Sequence, residues 1–205
     1  MLAENVIHGD VASANKREIK ADPVDDSGAT IYKSFTSVIG NMKNGATVDL
    51  DITLSDVQVE VSGGDNAGLA CGTMDENTSL AVNLSSSSLD VSGKSNAGVF
   101  VGKMSADATL SIDKCDTLTS VNISANNAGG LVGSAENAEI NVGEGVTLTM
   151  TGSVTGSVTA GGLFGSYTYS KANEKTFDIS KFSGMEMALA CSSGDNADSA
   201  DKQRR

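Results

Sequence analysis

Tryptophan is missing from this chain, and histidine and proline each occur once. With His8 as the single imidazole, a Ser-His-Asp triad, a Cys-His dyad or a multi-histidine zinc site has no means of assembly within one chain. Aromatic residues make up only 4%. That points to a thin, regular core of small and β-branched side chains rather than a thick globular one. Cysteine is sparse too: Cys71, Cys115 and Cys191 are far apart, odd in number and never in a CxxC pair. Neither a disulfide framework nor a zinc or redox motif is expected, and Cys71, behind "GLA", reads as a buried thiol. No apolar run approaches the roughly 18 residues that span a bilayer, so membrane insertion is not expected. The opening "MLAENVIHGD" lacks the basic flank and apolar stretch of a signal peptide. The expectation is then a cytosolic protein or the excised piece of a larger one. Basic residues are short as well, 14 against 26 acidic, for a net charge of −12. Such a surface repels polyanions, so no nucleic-acid partner is expected, and the acids read first as a solvated exterior.

Against these absences stand 23 glycines, abundant Ser, Thr, Asn and Val, and 39% hydrophobic residues, too many for wholesale disorder. The glycines are periodic. The segments "FTSVIGNM", "NAGLACGTM", "NAGVFVGKM", "NAGGLVGSA" and "TAGGLFGSY" close on Gly40, Gly72, Gly102, Gly133 and Gly165, at separations of 32, 30, 31 and 32 residues. Alternating apolar positions follow each one: Val48-Leu50-Ile52, Leu80-Val82-Leu84, Leu110-Ile112, Ile140-Val142 and, after an insert, Phe177-Ile179. A second alternating run precedes the next glycine segment: Val57-Val59-Val61, Leu89-Val91, Val121-Ile123, Val146-Leu148-Met150, and finally Met185-Met187-Leu189. Period-2 alternation is the signature of half-buried strands.

Each unit of 30–32 residues thus holds three short strands and no amphipathic helix. That excludes leucine-rich and ankyrin repeats, and the period is too short for propeller blades. The sequence predicts an all-β fold, a right-handed parallel β-helix (β-solenoid) of about five coils. Its parts are an irregular N-terminal cap at 1–33, in which "ASANKREIK" could form a short helix, repeats at 34–190, and a disordered tail at 191–205.

Aligned across coils, Ile39, Cys71, Val101, Val132 and Phe164 form one core column, and Val38, Ala70, Phe100, Leu131 and Leu163 another. Asn66, Asn96 and Asn127, continued by Thr159, predict an asparagine ladder at a corner, where Asn tolerates left-handed backbone. Gly72, Gly102, Gly133 and Gly165 complete the structural set. "NNAGGLVGS" superficially suggests a phosphate loop, but it lacks the lysine of a Walker loop, the spacing of a dinucleotide fingerprint and a following helix. The glycines therefore serve the backbone, and no cofactor, metal or catalytic residue is assigned.

The segments "GGLVG" and "GGLFG", with the degenerate "GLACG" and "GVFVG", resemble the GLUG-type repeat (Gly-Leu-apolar-Gly) of bacterial surface proteins and adhesins, over roughly 35 to 190. The first unit departs from it, having "SVIG" without the preceding "NAG". The resemblance implies a β-helical segment of a secreted or cell-surface protein, outside the cell and flanked by other domains of a larger polypeptide. It implies a structural or adhesive, non-enzymatic role as a rigid spacer or binding surface, with a host or cell-surface protein or a glycan as partner. It transfers no catalytic residues.

Two alternatives stay open. Glu60 and Asp90 align on adjacent coils, followed by Asn122, at about the separation of a retaining glycosidase pair. A second column reads Asp51, Asn83, Asp113. These could serve a polysaccharide-active enzyme or hold calcium, although no tryptophan is available to stack on a sugar. The acids of the tail "GDNADSAD" lack EF-hand spacing and read as solvated. The other alternative is an assembly protein whose open ends stack copies into filaments.

Overall fold

A computed structural model describes residues 16–20, 33–35, 37–115, 117–169, 182 and 185–193. Alternation sets the architecture. In β4 (Thr47–Ser62), Val48, Leu50, Ile52 and Leu54 are buried, while Asp49, Asp51 and Thr53 between them are only half-buried. β7 (Ser79–Ser92) repeats this in register, Val48 against Leu80, Leu50 against Val82 and Ile52 against Leu84. Pairing is parallel throughout, because equivalent positions of successive units lie one above another. Among the described residues there are strands and turns but no α-helix.

One turn runs as follows. A short strand carries the closing glycine, and a longer stretch then forms two further faces. A three-residue rung at Asn-Ala-Gly closes the circuit. The glycine-bearing strands β3 (Ile39–Met42), β6 (Cys71–Met74), β9 (Val101–Met104), β12 (Val132–Glu136) and β15 (Phe164–Thr168) make one sheet of five. The second sheet follows the order β1 (Lys16–Lys20), β4, β7, β11 (Leu118–Gly129), β14 (Leu148–Gly161), β16 (Met185–Ser193). To it belong β10 (Thr109–Cys115), β13 (Glu139–Val142), β2 (Lys33–Phe35) and the rungs β5 (Asn66–Gly68) and β8 (Asn96–Gly98). Among the described residues the result is a parallel β-solenoid of four complete turns, with β15 and β16 contributed by a fifth. At ~4.8 Å per turn the stack of four rises on the order of 20 Å.

The interior is filled by the predicted columns. Ile39, Cys71, Val101 and Val132 are in register and essentially inaccessible, as are Ala70, Phe100 and Leu131. Phe164 and Leu163, one turn further on, are only partly buried.

Several details differ from expectation. "KREIK" is a strand, not helix: β1 pairs with β4, Ile19 against Ile52, because an exposed sheet edge offers backbone partners that a short isolated helix lacks. Met150 opposes Leu118, and Gly152 opposes Val121, because β11 carries a register shift between them. The run Val146-Leu148-Met150 therefore does not stack on Val121-Ile123. β16 continues to Ser193, past the boundary read at 190. Phe177, Ile179, most of the N-terminal segment and the tail beyond 193 lie outside the described residues.

Candidate functional site on the outer faces

The closing glycines sit where the backbone of one turn presses on that of the turn before. A Cβ built on Gly102 would lie 2.6 Å from the Ala67 nitrogen and 2.7 Å from the Gly72 oxygen. Gly72 meets the Gly40 oxygen in the same way, Gly133 meets Ala97 and Gly102, and Gly165 meets Ala128 and Gly133. No ligand space exists there. The glycines permit close approach of two backbones.

The asparagines of the rungs form a hydrogen-bonded stack. Asn96 Nδ2 donates to Asn66 Oδ1 at 2.7 Å, and Asn127 Nδ2 to Asn96 Oδ1 at 2.9 Å. Thr159 Oγ1 donates to Asn127 Oδ1 at 2.9 Å, and at the other end Asn66 Nδ2 donates to Thr73 Oγ1. Left-handed backbone is not found in this stack. Among the described residues other than glycine, positive φ occurs at Asn77 (56°), Asp107 (58°) and Asn137 (43°), one per turn, continuing Gly45 (80°). At the rung, therefore, the Asn side chains supply hydrogen bonds alone. Sequence reasoning missed the left-handed column, although it was available as Gly, Asn or Asp four or five residues after each of the first four closing glycines, with a buried Ala or Thr next.

The carboxylate columns fare unequally. Glu60 does oppose Asp90, and Asp90 opposes Asn122. Asn122 Nδ2 donates to Asp90 Oδ1 at 2.7 Å and Ser153 Oγ donates to Asn122 Oδ1 at 2.8 Å, a run of donors ending on a carboxylate. An open hollow of about 260 Å³ overlies these residues. In the other column Asn83 Nδ2 donates to Asp51 Oδ1 at 2.5 Å. Asp113 is displaced from it: the register slips between Ile112 and Lys114, and Lys114 opposes Asn83. A pairing of Asp51 with Asp113 along one column is thereby removed. Among the described residues no three His, Cys, Asp or Glu side chains come together as a metal-holding group.

Cys71 and Cys115 are buried and Cys191 is exposed. Burial pushes the Cys71 thiol up to about 12, so it remains protonated at neutral pH and unreactive as a nucleophile.

A feature not foreseen is a trough of about 590 Å³ beside the hollow, sharing Ser124 and Thr155 with it. Its signal was present in the sequence as the recurring quartets "EVSG", "DVSG", "NISA" and "SVTG", which set a hydroxyl column next to a small-residue column. No family model, no curated protein and no solved structure matches the chain.

Proposed function

We propose that this chain is a structural or adhesive segment of a bacterial cell-surface or secreted protein, serving as a rigid spacer that also presents a binding face. One observation carries the reading. The polar side chains of the outer faces are stacked turn upon turn in hydrogen-bonded ladders, instead of converging on one concave site. Repetition of that kind holds long faces straight and offers the same chemistry at each step. The two copies of the Gly-Leu-apolar-Gly pattern, with two degenerate ones at 68–72 and 98–102, support a surface location through their resemblance to adhesin repeats.

A polysaccharide-cleaving role for Glu60 and Asp90 has less behind it. Their neighbouring register suits a carboxylate pair, but the Asp90 oxygen is engaged by the Asn122 amide as one rung of a ladder. Antibodies raised against the purified chain test the surface reading. Labelling of intact cells of the source organism is expected, and labelling only after permeabilisation would overturn it.

A further inference from the structure

The trough runs along the solenoid axis, and its shape has a backbone cause. Between the third face and the rung runs a column of small residues, Gly63, Gly93, Ala125 and Gly156, with the chain bending just after it at Gly64–Asp65 and Lys94–Ser95. A Cβ at Gly63 would lie 2.6 Å from the Asn66 oxygen, and one at Gly93 would lie 2.5 Å from the Asn96 oxygen, so the column stays small and the surface is dented along it. One wall is the in-register stack Ser124, Thr155, Ser192, continued by Ser92 of the neighbouring hollow. The other is Lys94, Asn126 and Ser157, in which Ser157 Oγ donates to Asn126 Oδ1 at 2.6 Å. Four rungs at ~4.8 Å give a channel about 14 Å long, room for a few sugar rings.

Two rows of hydroxyl and amide groups face each other across a floor of backbone. Hydroxyls both donate and accept, which suits a polyhydroxyl ligand. Among the described residues the walls contain no carboxylate and a single cation, Lys94, on a chain of net charge −12, so a neutral ligand is favoured over an anionic one. A β-strand peptide is a poorer fit, since backbone groups along the floor are already paired between turns: Gly93 N–H donates to Ser124 O, and Asn126 N–H to Lys94 O. An independent sign is the bulge in β14. Two residues, Ser157 and Val158, stand opposite Asn126 alone, and Val158 is turned out to solvent at 50% exposure. Bulges re-aim side chains, and this one turns an apolar side chain outward next to Ser157 of the trough wall. The C–H face of a pyranose ring is its natural complement.

We infer that this trough binds an extended, uncharged polysaccharide lying along the solenoid axis. The inference rests on the surface-binding reading above and names its ligand class. Native gels cast with mannan, dextran, laminarin or, as the anionic probe, alginate test it on the full chain. Retardation by at least one neutral polymer and not by alginate is expected. Ser124→Lys, which fills the trough, and Ser157→Ala, which removes one wall group, should each weaken it about tenfold, the effect of one or two lost hydrogen bonds. Thr47→Lys on another face should leave it unchanged. No retardation by any neutral polymer, stronger retardation by alginate, or equal retardation of both trough variants and the parent overturns the inference. Labelling of intact cells together with absent retardation would discard the glycan and keep the surface reading.

Discussion

At the scale of single residues, the repeated glycine acts through what it leaves out. The closing column brings the backbones of successive turns together at distances a methyl group would block, as at Gly102 beside Ala67 and Gly72. Gly64 is a natural control: nothing lies within 4 Å of a Cβ there, and its φ is not left-handed. Gly102→Ala should therefore lower unfolding stability in urea by roughly 1–3 kcal/mol, the usual range for overpacking a tight site. Gly64→Ala should be neutral or gain about 0.4–1 kcal/mol by restricting the unfolded chain. Equal midpoints for the two variants would show that the close approach is relieved by a cheap backbone shift. The asparagines next door work differently, since each amide is both donor and acceptor and so joins the turn below to the turn above.

At the scale of elements, each turn is held at one corner by a left-handed residue and at another by a rung. Asn77 occupies the left-handed position with φ of 56° and is exposed, with only a 3.5 Å contact from its Nδ2 to Asn44 Oδ1. Asn77→Ala should cost about 1 kcal/mol, because Ala meets the Cβ penalty of that conformation without an amide to bond locally. Asn77→Gly should match or exceed the parent. Thermal or urea midpoints check the order Gly ≥ Asn > Ala, and a midpoint for Ala above that for Gly would place the strain elsewhere. Strand identity and core columns were legible from the sequence because period-2 alternation and a repeat near 31 residues are both set by local side-chain pattern. Register was legible only between bulges. The slips at Ile112/Lys114 and Leu118/Val121 change which residues stack without altering the alternation around them, so Asp113 fell out of its column and Met150 into another. β1 escaped for the opposite reason. Five residues rich in charge carry little strand signal, and their pairing with β4 comes from the available edge. The trough lay hidden because it depends on a bend, which a one-dimensional alignment does not display.

At the scale of the whole molecule, a solenoid is a stack whose members touch only their neighbours, so its stability should grade along the axis. The grading here is asymmetric. The first complete turn is as dry as the central ones, with Ile39, Met42 and Leu50 at 1% exposure or less, like Phe100 and Leu131. The far end differs: Leu163, Phe164, Met185, Met187 and Leu189 are only partly buried, and β16 is the last strand of its sheet. Partly buried apolar contacts are the physical mark of local opening at low free energy; an outer place alone is not, since β3 also ends its sheet among the described residues but keeps its apolar side chains dry. Amide exchange followed by mass spectrometry should therefore find peptides from β6, β9 and β12 the slowest. Those from β15 and β16 should exchange at least about tenfold faster, and β3 should stay close to the centre rather than mirror the far end. A single protection factor shared by β9 and β16 would mean the rod opens only as a unit. In that case the stacking terms between turns would dominate over the burial of any one turn, and substitutions at the two ends would destabilise the molecule equally.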